Sequence, residues 1–342
     1  MDDTRWQWSL FVAVGLPSTA VLRWLGATSA IALTLTLISP PTCAQITPDS
    51  TIPILSTVKP DTIRGIPSDR IGGGTPRGGN LFHSFSDFNV SAGRGAYFEN
   101  PAGIQNIFSR VTGSNSQSSI LGTLGVIQEG SSDTLGTANL FFINPNGIVF
   151  GRNARLDVQG SFVGTTANAI AFGDKGFFSA TNPEAPSQLL TINPSALLFN
   201  QVNAVTIENR SVAPNLSGLS NNGLQVPDRR SLLLVGGNVV LDGGGLYTMG
   251  GRIEIGGLAS AGTVGLGVDG DNLDLTFPGD ANRANISLLN AARIDTTGLG
   301  GGTIQGERVT LFREKRGLQQ IIQVSAAMCE DFGDIFRLPS GT

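Results

Sequence analysis

Apolar residues in this chain come in short bursts. Runs at Asn80–Phe88, Ile107–Thr112, Ile120–Ile127, Asn139–Ile143, Ile148–Phe150, Leu156–Val163 and Ala169–Phe172 are separated by Gly, Asn, Asp and Pro. The pattern resumes at Leu189–Asn193, Leu197–Phe199, Val205–Ile207, Leu232–Val235, Val239–Leu241, Ile253–Ile255, Ile286–Leu289 and Val309–Leu311. No helical period is sustained between them. Short β-rich runs bounded by turn formers predict strands, at a spacing that fits a sandwich, a barrel or a β-solenoid.

Repetition favours the solenoid. Gly236-Gly237-Asn238-Val239-Val240-Leu241 is echoed by Gly250-Gly251-Arg252-Ile253-Glu254-Ile255, and more loosely by Gly301-Gly302-Thr303-Ile304 and Val309-Thr310-Leu311. Arg252, Glu254, Arg308 and Thr310 alternate with apolar residues, which predicts one set inside and the other in water. The irregular period suits a β-helix whose loops vary between coils. One coil cannot bury enough apolar surface to offset its conformational entropy, so coils must share a continuous core and the first needs a cap. A polar Asn/Ser/Pro/Arg link at 209–231 places a boundary near residue 205. After about Glu307 the Gly-Gly units stop and charge becomes dense, so 312–342 reads as a tail that leaves the solenoid.

The N-terminus has a different character. Ser9–Leu22 and Leu25–Ile38 are apolar runs, each shorter than the roughly 20 residues that span a bilayer. The second run follows Arg23 and precedes Ser39-Pro40-Pro41 and Thr42-Cys43-Ala44-Gln45, the proportions of a signal peptide. Cleavage is expected between Ala44 and Gln45. An uncleaved anchor is the alternative, since Asp2 and Asp3 leave the extreme N-terminus weakly cationic. Lipidation of Cys43 is opposed by Pro40-Pro41-Thr42.

Composition sharpens the picture. Of 342 residues, 40% are apolar, only 14% are charged and 46 are Gly, so a real core is available in a chain ill suited to helices. The net charge of −4, without a dense basic stripe, excludes binding of nucleic acid through phosphate neutralisation. Of the two Cys, Cys43 falls in the leader and Cys329 is left without a partner, so the core alone must hold the mature fold.

Candidate chemistry is sparse. His83 is the single His, which excludes a His-based triad or a multi-His metal site and leaves it a structural role. Asp269-Gly270-Asp271-Asn272-Leu273-Asp274 lacks the spacing of an EF-hand and reads as a polar loop. Gly72-Gly73-Gly74 and Gly243-Gly244-Gly245 lack the Lys-Ser/Thr of a phosphate loop and read as turns. Most carboxylates are isolated in loops, with Asp157 and Glu254 on strands at outward-facing positions. No catalytic, metal-binding or cofactor-binding residue is assigned, and no enzymatic activity is expected.

The most informative stretch is Ile143-Asn144-Pro145-Asn146-Gly147-Ile148-Val149-Phe150-Gly151. Pro at the second place of a turn pre-sets φ, and Asn then Gly tolerate the positions that follow. On physical grounds this is a tight turn between two strands.

From Gln45 to about Gln201 the chain resembles the N-terminal secretion domain of filamentous haemagglutinin-type two-partner-secretion exoproteins, in particular a cyanobacterial-like branch. The likeness is carried by Arg70-Ile71-Gly72-Gly73-Gly74, Gly79–Phe88, Asn100-Pro101-Ala102-Gly103-Ile104, Ile107–Gly113, Ile120-Leu121-Gly122, Ala138–Ile148, Gly160–Val163, Phe177–Pro183 and Leu190–Ser195. It implies an all-β fold, a right-handed parallel β-helix (a β-solenoid of pectin-lyase-like type) with a β-rich N-terminal cap. It also implies export by the general secretion machinery. The unfolded module is then recognised in the periplasm by the recognition domains of a cognate outer-membrane β-barrel transporter. Asn144, Pro145, Asn146, Gly147 and Ile148 match the family's recognition motif in full. Asn100, Pro101, Gly103 and Ile104 form a second Asn-Pro element, with Ala102 where another Asn often stands. Gln128–Leu135 reads as a loop insertion.

The expected organisation is therefore a signal peptide at 1–44, a secretion domain at 45–205, further coils at 206–311 and an off-pattern tail at 312–342. The expected product is secreted or held at the cell surface. Its secretion module would nucleate β-helix folding, and its role would be adhesion or interaction with a carbohydrate or cell-surface receptor. The alternatives are a β-helix carbohydrate-active enzyme or the truncated remnant of a larger exoprotein, since family members usually continue for many more coils.

Overall fold

The computed structural model describes residues 46–200, 205–214, 222–270, 272–296, 303–306, 309–311 and 323–325. The expected leader, the two Cys and most of the expected tail lie outside the described residues. Within them every regular element is a strand.

The strands stack as the coils of a parallel β-helix with three faces. The first face runs through Asn80–Phe88, Asn106–Val111, Asn139–Ile143, Phe162–Thr165, Ser231–Gly236, Arg252–Gly257 and Thr303–Gly306, all parallel. The second face contains Ser118–Ile120, Ile148–Phe150, Thr206–Asn209, Asn238–Asp242, Ile286–Leu289 and Val309–Leu311. The third begins with Gly95–Asn100, Thr123–Gln128 and Arg155–Asp157, and a separate sheet continues it through Leu224–Gln225, Gly245–Tyr247, Arg293–Asp295 and Gln323–Ser325. Alternate side chains of the first face, including Leu81, Ile107, Leu140, Phe162, Leu232 and Ile253, point into one continuous core.

The expected cap is present. Ser56–Ile63 and Ile66–Gly73 form an antiparallel hairpin laid beside the third face of the first coil. Its two-residue turn, Arg64-Gly65, has positive φ at both positions (51° and 76°), the geometry whose twist matches a hairpin. The outer strand of this hairpin is a sheet edge, and it carries Lys59 and Pro60, residues that discourage pairing with another chain. Ile46–Pro48 and Thr75–Arg77 cover the edge of Asn80–Phe88 by antiparallel pairing.

Two excursions leave the coils. One departs after Thr165 and returns at Thr206, and the other departs after Gly257 and returns at Ile286. Ala169–Ala171, Phe177–Ser179 and Ala196–Phe199 from the first join Gly262–Asp269 and Asn272–Thr276 from the second in one antiparallel sheet. This sheet is a second layer over the outside of the first face. It buries Phe82, Phe108, Phe141, Val163 and Leu233 against Ile170, Phe172, Phe178, Leu197 and Leu273. Phe82 stacks on Phe108 at 5.1 Å between ring centroids, and Phe108 on Phe141 at 4.6 Å.

Three strand expectations need correction. Ile120–Ile127 is two strands broken at a corner at Leu121-Gly122, where a Cβ on Gly122 would lie 2.1 Å from the Arg94 carbonyl oxygen of the coil above. Leu156–Val163 likewise turns a corner between Asp157 and Phe162. Apolar residues continue across both corners, and that continuity mimics a single strand. Leu189–Asn193 is a turn rather than a strand, and its Leu190 is buried while Leu189 and Ile192 are exposed.

Register along the first face is held by a buried polar ladder. Asn106 Nδ2 donates to Asn80 Oδ1 (3.0 Å), and Asn139 Nδ2 donates to Asn106 Oδ1 (3.0 Å), across separations of 26 and 33 residues. Asn80 Nδ2 donates to the carbonyls of Leu190 and Ile192, and Asn139 Oδ1 accepts the Ser161 amide. Replacing Asn106 by Ala leaves a donor on Asn139 and an acceptor on Asn80 unpaired in a dry environment. We expect Asn106→Ala to cost on the order of 3 kcal/mol in equilibrium urea unfolding. A cost below about 1 kcal/mol would show that the ladder does not hold the coils.

Candidate functional site

The Asn-Pro-Asn-Gly-Ile stretch forms the corner between Asn139–Ile143 on the first face and Ile148–Phe150 on the second. The Gly147 amide donates to the Asn144 carbonyl (3.1 Å), closing the turn, and the Asn144 amide donates to the Thr165 carbonyl of the next coil. The Asn144 side chain is fully buried and has all its partners. Its Oδ1 accepts the Asn146 amide (2.9 Å), and its Nδ2 donates to the Ser116 carbonyl (2.8 Å) and Ser118 Oγ (2.9 Å). Asn146 Nδ2 donates to the Gly113 carbonyl (2.7 Å). Gly147 has φ of 112°, and a Cβ there would meet Gln117 Nε2 at 2.8 Å. Asn144, Pro145, Gly147 and Ile148 are all buried, and Asn146 is half-buried.

The second Asn-Pro element is the corner between Gly95–Asn100 and Asn106–Val111. The buried Asn100 donates from Nδ2 to the Pro101 and Ile104 carbonyls and accepts the Ala138 amide. The Ile104 amide donates to the Pro101 carbonyl. Ala102 and Gly103 are exposed, and no atom would meet a Cβ on Gly103 within 4 Å. The two elements therefore lie at different corners of different coils.

The insertion Gln128–Leu135 folds back over the cap. Arg70 donates to the Ser131 carbonyl and Ser132 Oγ, and also pairs with Asp61 and Glu99. The outward-facing carboxylates are not in water as expected, because other elements cover them. Asp157 accepts from Tyr97 Oη (2.9 Å) and lies 3.3 Å from Arg64 Nε. Glu254 accepts the Leu275 amide (2.7 Å) and pairs with Arg252 (2.7 Å) beneath the second layer. Burial raises the pKa of each above the ordinary carboxylate value, opposed by Tyr97 and Arg64 at Asp157 and by Arg252 and Leu275 at Glu254. The Asp269–Asp274 segment is the hairpin between Gly262–Asp269 and Asn272–Thr276, with Asp271 outside the described residues. Among the described residues, no group of three or more His, Cys, Asp or Glu side chains is placed to hold a metal ion.

Sequence reasoning missed Arg110 and Asp49. Arg110 is fully buried. Its Nε donates to Ser84 Oγ, its Nη1 to the Ser179 carbonyl, and its Nη2 to Thr51 Oγ1 and the Glu184 carbonyl. Burial pushes its pKa down to about 10, opposed by Asp49, so it stays charged at neutral pH. Burial also works against ionisation of Asp49, but hydrogen bonds from Thr112, Thr51 and Ser84 outweigh it and hold the carboxyl below its usual value.

His83 faces the core at the capped end. It is fully buried, with Nδ1 3.0 Å from Ser56 Oγ and its ring 5.2 Å from that of Phe98. Burial lowers its pKa from 6.5 to about 3. The folded state therefore binds the proton less well than the unfolded chain. The stability this neutral ring contributes is complete above pH 6.5 and is lost as pH falls towards 3. Between pH 7 and pH 5 the loss is about 2 kcal/mol. Urea unfolding of the wild type and His83→Gln at both pH values isolates this contribution, since the other titratable groups are common to the two proteins. A difference that does not change with pH would reject it.

A family profile described as the TPS secretion domain matches residues 44–306. Fifteen chains of solved structures also match. One is the HMW1 secretion domain from Haemophilus influenzae, with a TM-score of 0.47 and 18% sequence identity; the match covers 77% of this chain but only 57% of that one. A search of curated protein sequences finds no match. With the profile spanning most of its length, the chain belongs to the two-partner-secretion (TPS) secretion-domain family.

Proposed function

We propose that this protein is a secreted two-partner-secretion substrate that a cognate outer-membrane transporter recognises before it folds, and that its capped first coils nucleate the β-helix outside. The observation that carries the reading is the burial of Asn144, Pro145 and Gly147 at a closed corner. In the folded protein these residues are enclosed by the coils around them, so a partner that reads them meets the chain unfolded. On this reading residues 1–44 are a leader cleaved between Ala44 and Gln45. Residues 45–205 are the module that is read and 206–311 extend the solenoid; within the expected tail at 312–342, Gln323–Ser325 still pairs with Arg293–Asp295 on the third face. Transit goes through the periplasm to the cell surface or the medium. An adhesive role, with a carbohydrate or surface receptor as target, belongs to the same proposal. The second face supports it, since Ser119, Val149, Glu208, Val240 and Ser287 lie partly exposed there on successive coils.

Pro145 separates recognition from folding. It makes no hydrogen bond through its side chain, and the turn is closed by the Asn144 carbonyl and the Gly147 amide. Pro145→Ala is therefore expected to change stability by less than about 1 kcal/mol while lowering secretion through the cognate transporter several-fold. Secretion and urea unfolding are to be measured on the same variant. Unchanged secretion would reject recognition through this motif, and a secretion loss matched by a large stability loss would reduce it to a turn.

A further inference from the structure

Two charged side chains lie buried between the first face and the second layer, one towards each end. Arg110, near the cap, joins four separate stretches of chain. It donates to Thr51 in the N-terminal segment, to Ser84 on the neighbouring coil, and to the carbonyls of Ser179 and Glu184 in the first excursion, at 2.8–2.9 Å. Its guanidinium also lies 4.3 Å from the ring centroid of Phe178 in that excursion. Glu254, on a later coil, accepts the amide of Leu275 in the second excursion at 2.7 Å. The excursions are joined to each other where Ala196–Phe199 pairs with Gly262–Asp269.

A charge in this position discriminates between a closed and an open layer more sharply than an apolar side chain does. Taken out of water without its partners, a guanidinium or carboxylate is strongly unfavourable; with its hydrogen bonds complete, it is tolerated. The partners of Arg110 in the excursion stand 69 and 74 residues further along the chain. The first two coils therefore stack with Arg110 satisfied only when that excursion has docked.

We propose that Arg110 and Glu254 form a two-ended latch that closes the second layer over the solenoid. Arg110 makes the N-terminal segment and the first excursion a single cooperative unit. Glu254 pins the second excursion, and the seam between the excursions connects the two ends. The latch belongs to the folded chain and holds whatever the route of export.

Hydrogen exchange read by mass spectrometry on the full-length chain tests it. In Arg110→Met, exchange should quicken together in residues 46–51 and 177–184, by about tenfold or more, while 231–236 and 252–257 keep their protection. Arg110→Lys keeps the cation but loses the planar fork, and should loosen the same two segments to a smaller extent. In Glu254→Leu the change should fall on 272–276 and leave 46–51 untouched. Only the double variant should expose the seam at 196–199 and 262–269. The latch is overturned if 46–51 and 177–184 respond separately. It is also overturned if Arg110→Met and Arg110→Lys both weaken every strand alike or fail to fold, which would make Arg110 a fold-wide core residue.

Discussion

Phe82, Phe108 and Phe141 stack one coil above the next on the outside of the first face, where a β-helix of this kind would otherwise meet water. Leu81, Ile107 and Leu140 occupy the inside of the same strands. A parallel sheet that is apolar on both faces must be covered on both, and much of the chain follows from that demand. The coils cannot all have one length, because two of them must send out excursions to cover this outer column, the first over its phenylalanines and the second over the later coils at Leu233 and Val235. The excursions cannot be free loops, because their own strands must pair, and they do so antiparallel to one another. The irregular period is thus a consequence of a regular packing requirement.

Covering the sheet buries polar groups as well, and each class of them is resolved by a different device. Strand starts are tied coil to coil by Asn80, Asn106 and Asn139. Corners are closed by Asn144 and Asn100, whose amides replace the hydrogen bonds that the turning backbone gives up. At the capped end, Asp49, Thr51, Ser84 and Thr112 complete a network around Arg110. These groups contribute little net stability while satisfied, but their geometry allows only one register, and one misplaced coil leaves several of them unpaired at once.

The sequence makes the strands legible and the second layer illegible, for a physical reason. Asn80–Phe88, Asn139–Ile143, Ile148–Phe150 and Ile286–Leu289 have the bounds that alternation and turn residues imply, because each begins and ends at a corner. Leu121 and Val158 blur their corners, since an apolar residue at a corner reads as strand. Glu254 and Asp157 do face away from the coil axis, but alternation says nothing of what packs there from residues far along the chain. The Gly-Gly units at 236 and 250 look like successive coils, yet the strands that follow them lie on different faces, Asn238–Asp242 on the second and Arg252–Gly257 on the first. A better signal was present. Asn80-Leu81-Phe82, Asn106-Ile107-Phe108 and Asn139-Leu140-Phe141 repeat one triplet whose three positions are the ladder, the inner core and the covered outer column.

The two Asn-Pro corners divide the family motif into letters that the fold explains and letters that it does not. The first Asn of each is required by the turn, since Asn144 and Asn100 both donate to backbone carbonyls at their corners and accept a backbone amide there. The second Asn has a folding reason at one corner only. Asn146 donates to the Gly113 carbonyl, whereas Ala102 at the matching place is exposed and has nothing comparable to satisfy. Gly147 is explained by its φ and by the close approach of Gln117. Pro145 contributes to the closed corner through its ring alone, which is buried there and pre-sets φ at the second place of the turn. The same ring acts before any coil has formed, because it fixes φ and biases the preceding Asn144 towards extended backbone, leaving the segment locally stiff in the unfolded chain.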